Sequence, residues 1–153
     1  MSFSFRSQCA AILVVGNLVA PAVACNLPFE PSLELAEAKA SLLKRPVLVL
    51  FTGLDWSPRS ILLDKRLLEH AIIEKVIEDA FIPLLVDFPQ RVKLTPELQS
   101  TNLLLAERFG VTHFPTLIAL DGQGRELGRL NFVDETVDSL KRTLEGWAVG
   151  AKK

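Results

Sequence analysis

The sequence predicts an α/β domain with a central mixed four-stranded sheet and helices on both faces. Three observations carry this. Helical and strand patterns alternate from Ser32 onward in the order α-β-α-β-α-β-β-α. The first two strand segments are joined by a long helical stretch, which dictates a parallel crossover. The last two are separated only by Asp121-Gly122-Gln123-Gly124, a turn that makes an antiparallel hairpin. A sheet holding both kinds of pairing, with helices interleaved, takes those helices on its two faces.

The elements follow in chain order. Ser32 is an N-cap, with Glu34 and Glu37 in the first turns, and Leu33, Ala36, Ala40 and Leu43 form an apolar stripe up to the block at Pro46. Val47-Leu48-Val49-Leu50-Phe51 is apolar without alternation, the mark of a strand buried on both faces. Ser57-Pro58 starts the next helix, because the serine oxygen caps and the proline ring suits the first helical position. One long helix is expected from there through Leu63, Leu67, Ile73, Val76, Ile77 and Ala80, with His70 as a surface residue among Glu69 and Glu74.

Residues 81–87 are the second strand, with Pro83 near its start. After a loop over 88–94, Thr95-Pro96-Glu97 opens a helix that is expected to break around Ser100–Asn102. It resumes with Leu103, Leu104 and Ala106 and stops at Gly110. Pro115–Leu120 and Arg125–Phe132 are the hairpin strands. Asp134 caps a last helix carrying Val137, Leu140, Leu144 and Trp147.

Composition bounds the function. The chain has 153 residues, 49% apolar and 23% charged, which suits one packed domain. A net charge of −1 gives no cationic field for nucleic acid, and Lys152–Lys153 reads as a solvated tail. Residues 1–24 carry one charge, Arg6, two apolar runs, and the small-residue ending Ala22-Val23-Ala24, which is a secretory signal-peptide pattern. The expected organisation is a signal peptide over 1–24, a short tether over 25–31, the domain over 32–148 and a tail over 149–153. The mature chain is then periplasmic or secreted. Cys25 would begin it, and Ala22-Val23-Ala24-Cys25 is also a loose lipobox. Cys25 is therefore the candidate lipidation site and the route to a membrane, with a soluble form as the alternative. Cys9 and Cys25 are the two cysteines of the chain, so residues 26–153 hold no thiol.

Three segments together carry a family resemblance. Leu50-Phe51-Thr52-Gly53-Leu54-Asp55-Trp56 resembles the strand and loop leading into the thioredoxin active site, especially in an exported bacterial branch with Phe-Thr-Gly-x-Asp-Trp before Cys-x-x-Cys. Phe109-Gly110-Val111-Thr112-His113-Phe114-Pro115-Thr116 resembles the segment with the family's cis-proline. Leu120-Asp121-Gly122 with Gly124 resembles the hairpin turn that follows. The resemblance implies a thioredoxin-like fold over roughly residues 32–148, and a cis bond at Phe114–Pro115.

The departure is at Ser57-Pro58-Arg59-Ser60, which stands where the family has Cys-x-x-Cys. In the family a thiolate at a helix start attacks a disulfide and the second cysteine resolves it. Serine oxygen supports neither step, so these four positions read as a degenerate active site with no catalytic residue. Ser57 is then a cap, or, in a sharper reading, a nucleophile with His113 as base, although no orienting third group or oxyanion hole is evident. Ser60 is a first-turn residue without chemistry. Arg59 is either solvated or set to meet an acidic partner.

Trp56, Phe114 and Pro115 are the peptide-groove candidates, against the plainer alternative that the two aromatics cover the core edge. Pairing with an extended peptide does not require cysteine. No residues are spaced as metal ligands, no Gly-rich phosphate loop is present, and no cofactor is implied. The expected function is a redox-inactive thioredoxin-like module of the bacterial envelope that binds or scaffolds polypeptide. The alternatives are a thiol–disulfide oxidoreductase, which needs cysteine in the native gene at positions 57 and 60, and a purely structural assembly subunit.

Overall fold

A computed structural model describes residues 27–131 and 135–151. The expected signal peptide, Cys25, Phe132, the Asp134 cap and the Lys152–Lys153 tail lie outside the described residues. Strands β1 (Val47–Thr52), β2 (Ile82–Asp87), β3 (Thr116–Leu120) and β4 (Glu126–Asn131) form one sheet in the order β2-β1-β3-β4. β1 runs parallel to β2 and antiparallel to β3, and β3–β4 is the antiparallel hairpin. The expected mixed four-stranded sheet is therefore present.

The helices are α1 (Leu33–Leu43), α2 (Pro58–Leu63), α3 (Ala71–Ala80), α4 (Pro96–Arg108) and α5 (Val137–Gly150). Alternation along β1 builds two cores. Leu48 and Leu50 point to one face and join Leu63, Leu67, Ile73, Ile77, Leu140 and Leu144. Val47, Val49 and Phe51 point to the other and join Leu33, Ala36 and Ala40 of α1 and the inner edge of α4. Burying each such side chain contributes about 1.5–3 kcal/mol over leaving it in water.

The helix starts follow the capping chemistry. Ser32 accepts the Leu35 N–H at 3.3 Å, Ser57 the Ser60 N–H at 3.3 Å, and Thr95 the Leu98 N–H at 3.3 Å. Pro58 and Pro96 sit at the first helical positions. The cap of α5 is Thr136, in a capping box with Ser139.

Four expectations change. The single helix expected after Ser57 is two, joined by a π-helical turn over Asp64–Leu68. Leu63 and Leu67 on one side and Ile73 and Ile77 on the other are out of step by 3.6-residue periodicity, and the break restores them to one core face. His70 is exposed, and it also caps α3, its Nδ1 accepting the Ile72 N–H at 3.3 Å.

The expected break in α4 is absent, because Asn102 is buried and donates to the Asp87 carbonyl at 2.8 Å, so a tertiary bond holds the polar stretch helical. Leu103 and Leu104 are exposed, since the inward edge of α4 falls on Asn102, Leu105 and Ala106 instead, and Leu43 is exposed at the end of α1, whose buried residues are Leu33, Ala36 and Ala40. Residues 27–31, expected as a tether, lie on the fold. Leu27 is buried, Phe29 packs on the core, and the Glu30 N–H donates to the Pro83 carbonyl at 2.9 Å.

Arg45, between α1 and β1, closes the far end of α3. Its Nη2 donates to the carbonyls of Ile77, Glu78 and Phe81 at the helix end, where the Ile77 carbonyl also accepts the Phe81 N–H. Arg45→Ala is expected to lower stability by about 1.5–3 kcal/mol, the usual worth of hydrogen bonds from a charged donor. Urea unfolding checks this: the midpoint should fall with the slope unchanged.

Candidate functional site

The site grows from the C-terminal ends of β1 and β2. Thr52 and Asp87 end these strands side by side, and Thr52 Oγ1 donates to Asp87 Oδ1 at 2.9 Å. The same oxygen accepts the Leu54 N–H at 2.9 Å, which draws the Gly53–Trp56 loop over the strand ends. A second carboxylate, Asp55, accepts the N–H groups of Gln90 at 3.0 Å and Arg91 at 2.6 Å. The two loops that leave β1 and β2 are thus fastened to each other.

Trp56 folds back over Gly53. A Cβ at Gly53 would lie 2.6 Å from the indole, so only glycine admits this approach. The indole N–H donates to the Phe88 carbonyl at 2.7 Å. Its ring meets Phe114 edge-on, with centroids 6.0 Å apart and planes at 88°. Phe88 packs on the other side of Phe114 at 5.0 Å. The three rings form a wall along the Phe114–Pro115 bond, which is cis. Contact between Trp56 and Phe114 sets the residue before Ser57 against the residue before Pro115.

Both serines are engaged locally. Ser57 is buried and caps α2 as described. Ser60 is fully buried, and its Oγ accepts the Gly53 N–H at 3.1 Å. It is a first-turn residue of α2, and its hydroxyl holds the base of the loop. Among the described residues no hydrogen bond joins Ser57 to His113. His113 is exposed, with Nδ1 2.8 Å from Thr112 Oγ1. The geometry therefore gives the nucleophile reading no base. Arg59 is exposed at the start of α2.

The two carboxylates titrate in opposite directions. Burial pushes the Asp87 carboxyl above its ordinary range, with the Asp55 charge adding to the rise, despite the bonds from Leu54 and Thr52. For Asp55, burial also acts upward, but the N–H groups of Gln90, Arg91 and Val92 outweigh it and hold its carboxyl below the ordinary range.

The thioredoxin-like domain description matches residues 33–131. The chain belongs to the thioredoxin-like family. Among its relatives is the disulfide bond reductase DsbH of Chlamydia pneumoniae, 30% identical over 112 residues, which covers 73% of this chain and 67% of DsbH. Another is the thioredoxin-related protein DsbJ of the same organism, 25% identical over 129 residues, 84% of this chain but only 36% of DsbJ.

Two solved structures show the fold. A DsbH oxidoreductase superposes with a TM-score of 0.75 at 24% identity, covering 97% of this chain and 95% of that one. A Thermus thermophilus thioredoxin gives 0.63 at 24% identity, covering 82% and 89%. In this thioredoxin-like chain the helix start that faces the cis-proline segment carries hydroxyls at 57 and 60. Hydroxyls hydrogen-bond but form no disulfide.

Sequence reasoning placed Trp56, Ser57, Ser60, Phe114 and Pro115, and missed Asp87, Phe88 and the steric role of Gly53. A signal existed for Asp87: an acid closing an apolar strand beside the Thr52 that closes its parallel neighbour. Phe88 carried none, since a single aromatic in a loop has no periodicity.

Two outcomes are expected. Gly53→Ala should expel the indole, break its bond to the Phe88 carbonyl and red-shift Trp56 emission in a Trp147→Phe background, at a cost of about 1 kcal/mol. Asp87→Asn keeps the acceptor oxygen and removes the buried charge. With a folded-state pKa raised above the unfolded value of 3.8, the native state binds the extra proton, so the Asp87 contribution to stability falls as pH rises through that window. The variant should match the original chain in acid and exceed it near neutrality, as read by urea titrations across pH.

Proposed function

We propose that this chain is an exported, redox-inactive thioredoxin-like module that binds extended polypeptide in the groove between the Gly53–Ser57 loop and Phe114–Pro115. One observation carries the reading. The aromatic wall is held by bonds that need no thiol, because Ser60 and Asp87 hold the loop while Ser57 caps the helix. Oxygen at positions 57 and 60 leaves no two-electron couple, and residues 26–151 offer no other thiol. What remains usable is shape: exposed ring surface beside backbone that an extended chain can pair with.

The DsbH name describes a reductase, and that chemistry turns on a cysteine pair. Here it would require thiols at 57 and 60. The reading places the chain outside the cytoplasm through the 1–24 signal pattern, either soluble or anchored through a lipid at Cys25.

Insulin reduction and dithiol-peptide oxidation test the redox half. The chain is expected to give no rate above buffer, while Ser57→Cys/Ser60→Cys should gain turnover from a thiol at a helix start. Turnover by the unsubstituted chain would sink the reading. S-carboxymethylated insulin B chain, which has no free thiol, tests the binding half. Trp56→Ala and Phe114→Ala should each weaken its binding about tenfold, the scale of an aromatic anchor.

A further inference from the structure

Beside the aromatic wall, the 88–94 loop and the first half of α4 enclose a cleft of about 360 Å³. Phe88, Val92, Leu94 and Leu103 give it apolar walls. Two of them are left in water: Val92 is 45% exposed and Leu103 55%. Gln90, Gln99 and Asn102 add polar groups to the lining, and a concavity of this size that combines apolar walls with a few polar groups is the usual form of a recognition site.

The cleft is preformed. Its floor residue Asn102 is tied to the Asp87 carbonyl, and its loop is tied through Gln90 and Arg91 to Asp55. It is also continuous with the groove, because Phe88 lines the cleft and packs on Phe114.

The charges around it are lopsided although the chain as a whole is nearly neutral. Lys93 lines the cleft, and Arg59 stands on the first turn of α2. Both are exposed, and neither has an ion pair among the described residues. The nearest carboxylate of the groove, Asp55, is consumed by backbone N–H groups and faced by Arg91. Glu97 lies on the first turn of α4, outside the lining.

We infer that this cleft is a second recognition pocket that takes an apolar side chain of the bound polypeptide, with an acidic residue beside it meeting Lys93. The inference rests on the polypeptide-binding reading above and adds a preference to it. A second copy of the chain is the poorer occupant. A two-fold contact brings the same patch from both sides, and so a second Lys93 rather than the anion that this cation lacks.

Three short fluorescein-labelled, cysteine-free peptides test it by anisotropy on the purified full chain: a leucine flanked by aspartates, the same with alanine for leucine, and the same with lysines for aspartates. The first should bind about tenfold tighter than the second, the worth of burying one leucine. Leu103→Lys should erase that difference, and Lys93→Glu should shift preference toward the lysine peptide. Val92→Thr is a milder second variant, expected to narrow the leucine preference.

If leucine and alanine peptides bind equally while Trp56→Ala still abolishes binding, the pocket falls and the groove stands. If no peptide binds the unsubstituted chain, both fall. If light scattering shows a dimer that Leu103→Lys dissociates, the face belongs to a second copy and the pocket is overturned.

Discussion

Everything in this molecule is arranged around a strand that meets no water on either face. Val47, Leu48, Val49, Leu50 and Phe51 are all completely buried. Their backbone groups must then be paired on both sides, and β2 and β3 supply the partners. A strand so placed must be interior to the sheet, and the side chains that alternate along it must be roofed by helices above and below. The β1–β2 crossover through α2 and α3, the β3–β4 hairpin and the two cores all follow. The site follows as well, because the chain leaves that strand at a fixed point, beside the end of its parallel neighbour.

At that point the geometry is built without thiols. The helix start, the loop over the strand ends and the cis-proline segment are assembled by carboxylate, hydroxyl, indole and glycine. Asp87 and Asp55 do for the two loops what no covalent link does, each accepting more than one backbone or hydroxyl donor. Ser60 accepts from Gly53, where the chain turns under the indole. Hydroxyls thus participate in the local architecture of the helix start.

How far the sequence revealed this depended on periodicity. Strands and helix starts were legible because unbroken apolar runs and cap-plus-proline pairs have local causes. The split of the second helix was written in the phase slip between Leu67 and Ile73, but a phase slip is visible only once both ends are known to face one core. The continuity of α4 through Asn102 was not legible, since its support comes from the Asp87 carbonyl fifteen residues earlier. The site divided the same way. Ser57, Trp56 and Pro115 stood in recognisable segments, whereas Phe88 entered only because two loops are fastened together in space.

One feature on the outer side of β2 bears on how the molecule behaves in a crowd. β2 is an outer strand, yet its free side is not open. Pro83 offers no amide hydrogen there, and Glu30 lies alongside, bonded to the Pro83 carbonyl and bridged to Leu84. Outer strands with vacant donors and acceptors are the templates on which sheets accrete into fibrils. On this edge accretion must first peel away residues 27–30 and expose Leu27 and Phe29, so that segment guards β2 against strand addition.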